Sequence, residues 1–162
     1  MFWERKIQVP ADALAKTLIQ ECVETPIPAT RELFPPNADA PGYPTISQQL
    51  RLYQFASVLL AVLDAERGDP AFTSLREGLE RHHFPPTFAQ GAHQLEELKS
   101  AMADLVALIQ PNGKPQPMSW AHNWLKRIGV EESNPATLGM LALRWPSHYA
   151  AVAKSLKKCK PV

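Results

Sequence analysis

The last third of this 162-residue chain gathers cationic side chains that can bind a phosphate or an acidic partner. Residues 114–162 carry 8 Lys or Arg against 2 Asp or Glu, a net charge of +6, whereas residues 1–113 carry 9 against 14, a net charge of −5. Binding of phosphates by such cations is electrostatic and weakens with salt. The candidate partner- or phosphate-binding residues are Lys126, Arg127, Arg144, Lys154, Lys157, Lys158 and Lys160.

Four aromatic residues lie among these cations and could stack on nucleic-acid bases if they were exposed. Helical spacing instead places each on the apolar side of its segment, which predicts a core role for Trp120, Trp124, Trp145 and Tyr149. A helix-turn-helix motif fits this region poorly, because the acidic interval 131–134 is longer than the usual turn and residues 135–144 carry one charge.

The remaining reactive residue types form no recognisable catalytic or metal-binding motif. No H-E-x-x-H, C-x-x-C, G-x-S-x-G or phosphate-binding glycine loop is present, and we expect no catalytic residue, metal or cofactor. Adjacent His82 and His83 point about 100° apart on a helix, which suits a cationic helix end better than a single ion. A metal site built from His82, His83 and His93 is the alternative.

Apolar residues recur with helical spacing along most of the chain, and 16 prolines against 7 glycines separate these segments. We therefore predict an all-α fold, an irregular bundle of about six to seven helices with proline-rich connections, and no strand. The expected helices cover about residues 10–24, 45–68, 70–83, 88–110, 119–128, 135–145 and 147–159, and Pro146 breaks or kinks the chain between the last two. The second helix is apolar almost all round from Leu50 to Leu63 and belongs in the middle of the bundle. Asp69 and Ser147 are the expected N-caps of the third and the last helix.

Length and composition predict a single helical domain over residues 1–162, with a possible subdomain boundary at 111–117, where the charge changes sign. The hydrophobic content of 45% is typical of globular proteins, and the apolar run from Leu52 to Leu63 is shorter than a membrane span. With Cys22 and Cys159 as the two cysteines and no secretory signal pattern, we expect a cytoplasmic protein in which Cys159 is an exposed thiol.

These observations favour a non-enzymatic helical module, either a protein-interaction domain or an accessory or regulatory subunit, with another protein as partner. One alternative is a nucleic-acid-associated accessory subunit that uses the basic C-terminal helix. Another is a small-ligand-binding bundle or enzyme with a pocket between helices. The charge split could also be used internally, with the basic last helix facing Glu77, Glu80, Glu96, Glu97 and Asp104, or between two copies of the chain in a homo-oligomer.

Overall fold

The computed structural model describes residues 5–24, 43–83, 91–109, 117–127 and 135–162, without the side chains of 43–48, 83, 91–94, 117–118, 127 and 137. These residues form six α-helices: α1 (Ala11–Leu18, continued by a π-helical segment, Ile19–Glu24), α2 (Tyr43–Gly68), α3 (Thr73–His83), α4 (Gly91–Ile109), α5 (Pro117–Arg127) and α6 (Pro135–Leu156). The predicted all-α bundle is confirmed. The prolines at 111 and 115 and most of the predicted linker 25–44 lie outside the described residues.

Helix α2 lies at the centre of the bundle and packs against α4, α6 and the end of α1. Every side chain from Tyr53 to Val62 is buried, including those of Gln54 and Ser57. A helix that is apolar almost all round is stable only when other elements surround it. The sequence pattern predicted this central position.

Helices α1 and α3 pack closely where Gly78 of α3 faces Ala15 of α1. A Cβ atom added at Gly78 would lie 3.0 Å from the Cβ of Ala15, which is tighter than nine in ten such contacts in folded proteins. The absence of a side chain at this position therefore sets the spacing of the two helices. Ahead of α3, Oδ1 of Asp69 accepts a hydrogen bond of 3.0 Å from the backbone N–H of Ala71, which confirms Asp69 as a cap. The cap begins a short 3₁₀ turn, Pro70–Phe72.

The predicted break at Pro146 is wrong, because α6 runs through this residue as one helix of 22 residues. Proline inside a helix removes one backbone hydrogen bond and crowds the preceding turn. Trp145 and Val152, on either side of the proline, are both buried on the inner face of α6, and the burial of this continuous face offsets that cost. Ser147, expected to cap a separate helix, instead donates its hydroxyl to the Leu143 carbonyl at 2.8 Å.

The prediction that the chain has no strand is also wrong. Strand β1 (Ile7–Val9) pairs in parallel with β2 (Cys159–Pro161), with Ile7 opposite Cys159 and Val9 opposite Pro161. Three residues are too few to show the alternation by which a strand is recognised in a sequence. Cys159 is consequently half-buried against the core in β2, not an exposed thiol.

The aromatic residues of the last third are packed around Tyr53 of α2. The ring centroid of Tyr53 lies 5.9 Å from that of Trp120, 5.6 Å from that of Trp124 and 5.6 Å from that of Trp145. All three indoles are buried, so the predicted core role of the tryptophans is confirmed. Aromatic contacts at these distances add to the stabilisation that burial of the rings provides. The cluster joins α5 and α6 to the central helix.

Candidate functional site

The outer face of α6 carries an exposed apolar stripe. We define the outer stripe as Met140, Leu143, Ser147 and Ala150, which follow one another at intervals of three or four residues and are all exposed. Met140 is 56% exposed and Leu143 is 66% exposed, whereas the opposite face of the helix is buried in the core. A large exposed apolar side chain is ordinary when it stands alone, whereas these two lie one turn apart and form a larger exposed apolar surface.

The outer stripe leads to four exposed lysines at the C-terminal end of α6. Lys154 lies one turn beyond Ala150 on the same face, Lys157 and Lys158 form the turn that follows, and Lys160 is in β2. Within the described part of the chain, none of the four lies within 4.0 Å of a carboxylate oxygen in an ion pair. Four of the seven predicted cations are thus brought together at one end of the stripe.

The other three predicted cations are in different settings. Lys126 is exposed near the end of α5. The side chain of Arg127 lies outside the described residues. Arg144 is on α6 at the border between the outer stripe and the core, where its side chain is half-buried.

Three of the five acidic side chains expected to face the last helix have other partners. Glu80 accepts from Arg76 of its own helix at 3.2 Å, and Glu96 accepts from Lys99 at 3.0 Å. Asp104 accepts a hydrogen bond of 2.5 Å from the hydroxyl of Tyr53. Among the described residues, Glu80 and Glu96 are therefore paired within their own helices rather than with the basic end of α6.

The guanidinium group of Arg144 has an unusual environment. It lies over the indole of Trp145, with Cζ 5.9 Å from the ring centroid, an arrangement in which the ring attracts the cation. Its Nε and Nη2 atoms are buried and have no hydrogen-bond partner. Burial disfavours the charged form and lowers the pKa of Arg144 below its ordinary value.

A buried polar cluster lies one turn further along α6, centred on His148. Nε2 of His148 donates a hydrogen bond of 3.0 Å to the carbonyl oxygen of Cys22, because a carbonyl can only accept. In the neutral ring Nδ1 is then an acceptor, and the hydroxyl of Ser57 on α2 donates to it. The Ser57 oxygen also lies 3.0 Å from the Gln54 carbonyl. The cluster thereby joins α1, α2 and α6.

The surroundings of His148 favour the neutral form of its ring. Burial is the largest cause that lowers its pKa, and the positive charge of Arg144 acts in the same direction against the opposing hydrogen bond to Cys22. Neither Ser57 nor His148 is recognisable as a site residue from the sequence, since a serine within an apolar run and a histidine between two helical residues carry no motif. The one local signal in the sequence is the four-residue spacing from Arg144 to His148, which places these two residues on the same face of a helix.

The predicted alternative of a metal site gains no support from His82. Nε2 of His82 lies 2.6 Å from Oδ1 of Asp12 on α1. Lys16 also pairs with Asp12, at 2.9 Å. Hydrogen bonds from Lys16 and then His82 lower the pKa of Asp12 to about 2. The side chains of His83 and His93 lie outside the described residues, and no group of three or more potential metal ligands occurs among those that are described.

No protein-family model, curated protein or solved structure matches the sequence significantly. None of the described helices combines the length and the apolar character that crossing a membrane requires.

Proposed function

We propose that this chain is a non-enzymatic helical module that binds another protein through the outer face of α6. The observation that carries the proposal is the outer stripe, in which Met140 and Leu143 remain exposed on a helix whose opposite face is fully used in the core. The partner that fits is an amphipathic segment with an apolar face for the stripe and acidic residues for the lysines at its end. The stripe and Lys154 are consecutive on one helix, and Lys157 and Lys158 follow in the next turn, so one helical segment can contact both.

The expected energetics assign different roles to the two parts of this surface. Full burial of a Met or Leu side chain contributes about 1.5–3 kcal/mol, so Met140 and Leu143 would supply much of the affinity. An exposed ion pair contributes about 0–1 kcal/mol, so Lys154, Lys157 and Lys158 would mainly orient the partner and speed its association. Binding should therefore depend strongly on the stripe and respond to salt through the lysines.

The position of the described Ser–His pair favours a binding module over a hydrolase. Ser57 is fully buried, and its hydroxyl is committed to His148 and Gln54 inside the bundle. A nucleophilic serine has to meet its substrate at an accessible site. The pair therefore fits a structural role.

The exposed lysines keep nucleic-acid association as a second candidate function. They lack described ion pairs and could meet phosphates, but the tryptophans that would add base stacking are buried. An electrophoretic shift assay at low salt with single- and double-stranded DNA and RNA tests this candidate. Binding that falls steeply with salt and is lost when Lys154, Lys157 and Lys158 are replaced by Glu would establish it, and no shift would exclude it.

Site-specific photo-crosslinking in the native cells tests the main proposal. A photoreactive amino acid at position 143 should crosslink to a protein that is identified by mass spectrometry, whereas the same group at exposed position 13 on α1 should not. The identified partner is then purified and its affinity for the chain is measured. M140D/L143D should weaken binding at least tenfold, and K154E/K157E/K158E should weaken it less and reduce the effect of salt.

A matched surface variant distinguishes a specific loss of binding affinity from a general effect of adding a charge to the surface. Leu95 on α4 is 45% exposed and lies outside the outer stripe, so L95D should leave the affinity unchanged. Equal crosslinking from positions 143 and 13, or equal loss in L95D and M140D/L143D, would contradict the proposal.

A further inference from the structure

Arg144 differs from the arginines whose partners the structure describes. Arg51 pairs with Glu24, Arg67 pairs with Asp64, and Arg76 pairs with Glu66 and Glu80. Arg144 is half-buried, yet two of its nitrogen atoms are removed from water without an acceptor. A buried cation without a counter-charge is costly, so such a group is generally matched by an anion when the protein is in its working state.

The positions of the two unpartnered atoms indicate which kind of anion would fit. Nε and Nη2 lie on the same side of the planar guanidinium, and their N–H bonds point in parallel. This edge matches the two oxygens of one carboxylate, which can accept both hydrogen bonds at once. The Cζ of Arg144 lies 5.9 Å from the centroid of the Trp145 indole, a distance at which the ring attracts the cation and favours this position of the guanidinium.

We propose that Arg144 is a carboxylate-binding residue whose Nε and Nη2 hold one acidic group in a bidentate pair. The source of this acidic group rests on the proposed function: it is an Asp or Glu side chain of the partner protein that covers the outer stripe. Arg144 follows Leu143 directly along α6. Because its Nε and Nη2 are covered in the free chain, the guanidinium has to turn outward beside the stripe to pair with an acidic residue of that partner. An arginine at the edge of an apolar contact is a common source of specificity in protein interfaces.

The experiment uses the full chain with acetate as the probe. In ¹⁵N spectra of the arginine side chains, acetate should move the Nε–H resonance of Arg144 saturably, at constant ionic strength with chloride as the reference anion. The Nε of Arg76 is already bonded to Glu66 at 2.9 Å, so its resonance should stay in place and serves as an internal control. Acetate should also raise the thermal unfolding temperature of the wild type saturably. R144K keeps the positive charge but lacks the bidentate edge, so its unfolding temperature should not show this rise.

A second variant separates a binding role from a structural one. R144M removes the uncompensated charge and keeps much of the side-chain volume, so without acetate it should unfold at the same temperature as the wild type or higher. No acetate shift at Arg144, a lower unfolding temperature of R144M without acetate, or a stronger response to inorganic phosphate than to acetate would each overturn the inference.

The two proposals fail in distinguishable ways. If position 143 crosslinks to a partner but acetate leaves Arg144 unchanged, the carboxylate site is wrong and the interaction surface stands. If acetate binds at Arg144 but position 143 gives no crosslink, the interaction surface is wrong and Arg144 binds a small-molecule carboxylate. Loss of the crosslink in R144K assigns the carboxylate to the partner protein.

Discussion

The phenolic hydroxyl of Tyr149 on α6 donates a hydrogen bond of 2.5 Å to Oδ2 of Asp64 on α2. Tyr53 on α2 makes an equivalent bond of 2.5 Å to Asp104 on α4. The central helix is thus joined to both of these neighbours by a tyrosine–carboxylate pair at the edge of the core. Burial, followed by the bond to Asp64, raises the pKa of Tyr149 to about 12.

Y149F should lower the free energy of unfolding by about 1–2 kcal/mol, because it removes a hydrogen bond to a charged acceptor. Urea unfolding at neutral pH measures the change. The same substitution in a D64N background should have a smaller effect, since that partner is no longer an anion. Equal effects in the two backgrounds would show that the negative charge of Asp64 adds nothing to this hydrogen bond.

The raised pKa of Tyr149 also predicts alkaline sensitivity. The folded state holds the phenol neutral, so its contribution is complete below the ordinary pKa of 10.0 and is lost as pH rises through about 12. Unfolding measured at increasing pH above 10 should show the wild type losing its advantage over Y149F. A constant difference across this range would contradict the assignment.

His148 predicts a second pH dependence, on the acid side. Burial lowers its pKa below the ordinary value of 6.5. The neutral ring is favoured by folding, so its stabilisation is complete above pH 6.5 and is lost as pH falls toward the folded-state pKa. The charged and polar groups next to it are Arg144, Ser57 and the Cys22 carbonyl.

The measurement for His148 compares wild type and H148Q. Chemical unfolding from about pH 7 to about pH 5 should show a steeper loss of stability in the wild type than in the variant, because glutamine does not titrate in this range. The two profiles should converge as pH falls. Parallel profiles would mean that another group sets the acid sensitivity.

Two glycine-to-alanine substitutions should have opposite signs. G139A on α6 meets no atom within 4 Å of the new Cβ and should stabilise the protein by about 0.5–1 kcal/mol through helix propensity. G78A places a Cβ 3.0 Å from that of Ala15, and crowding of about 1–3 kcal/mol should exceed the same helical gain. Thermal or urea unfolding of both variants gives the comparison.

The A15G/G78A double variant completes this test. It moves the methyl group from one helix to the other and should recover part of the stability that G78A loses. If G78A stabilises the protein as much as G139A does, α1 and α3 are not packed as closely as described.

Replacing the outer stripe should be harmless to folding. M140D and L143D alter exposed positions that meet solvent, so each should change the free energy of unfolding by less than about 0.5 kcal/mol. Urea unfolding checks this, with L95D as the matched exposed control. A loss of several kcal/mol would place these side chains in the core of the fold rather than on a free surface.

Helical periodicity was sufficient to predict the all-α bundle, the central position of α2 and the burial of Trp120, Trp124 and Trp145, because these properties depend on local spacing. The pairing of β1 with β2 was beyond such an argument, since it depends on residues more than 140 positions apart whose own pattern is too short to identify. The predicted helix break at Pro146 was wrong for a related reason. Its local cost was clear, but the burial of a continuous inner face that offsets it is a tertiary property.

The candidate site was predicted only as a set of charges. The sequence placed Arg144 with the lysines, because a charge count cannot distinguish a half-buried guanidinium from an exposed ammonium group. It also gave no reason to connect Ser57 with His148, which are 91 residues apart. The outer stripe was missed because this helix carries apolar residues on both faces, so that Met140 and Leu143 do not stand out from the core residues in the sequence.

The parallel pairing of β1 with β2 has a mechanical consequence. Backbone hydrogen bonds join Ile7 to Lys158 at 2.8 Å and Val162 to Val9 at 3.0 Å. A pulling force applied ahead of β1 and at Val162 would act along these parallel strands in opposite directions, and so would load their hydrogen bonds together in shear rather than opening them one by one. The small sheet can therefore resist a pulling force before any helix of the bundle is extended.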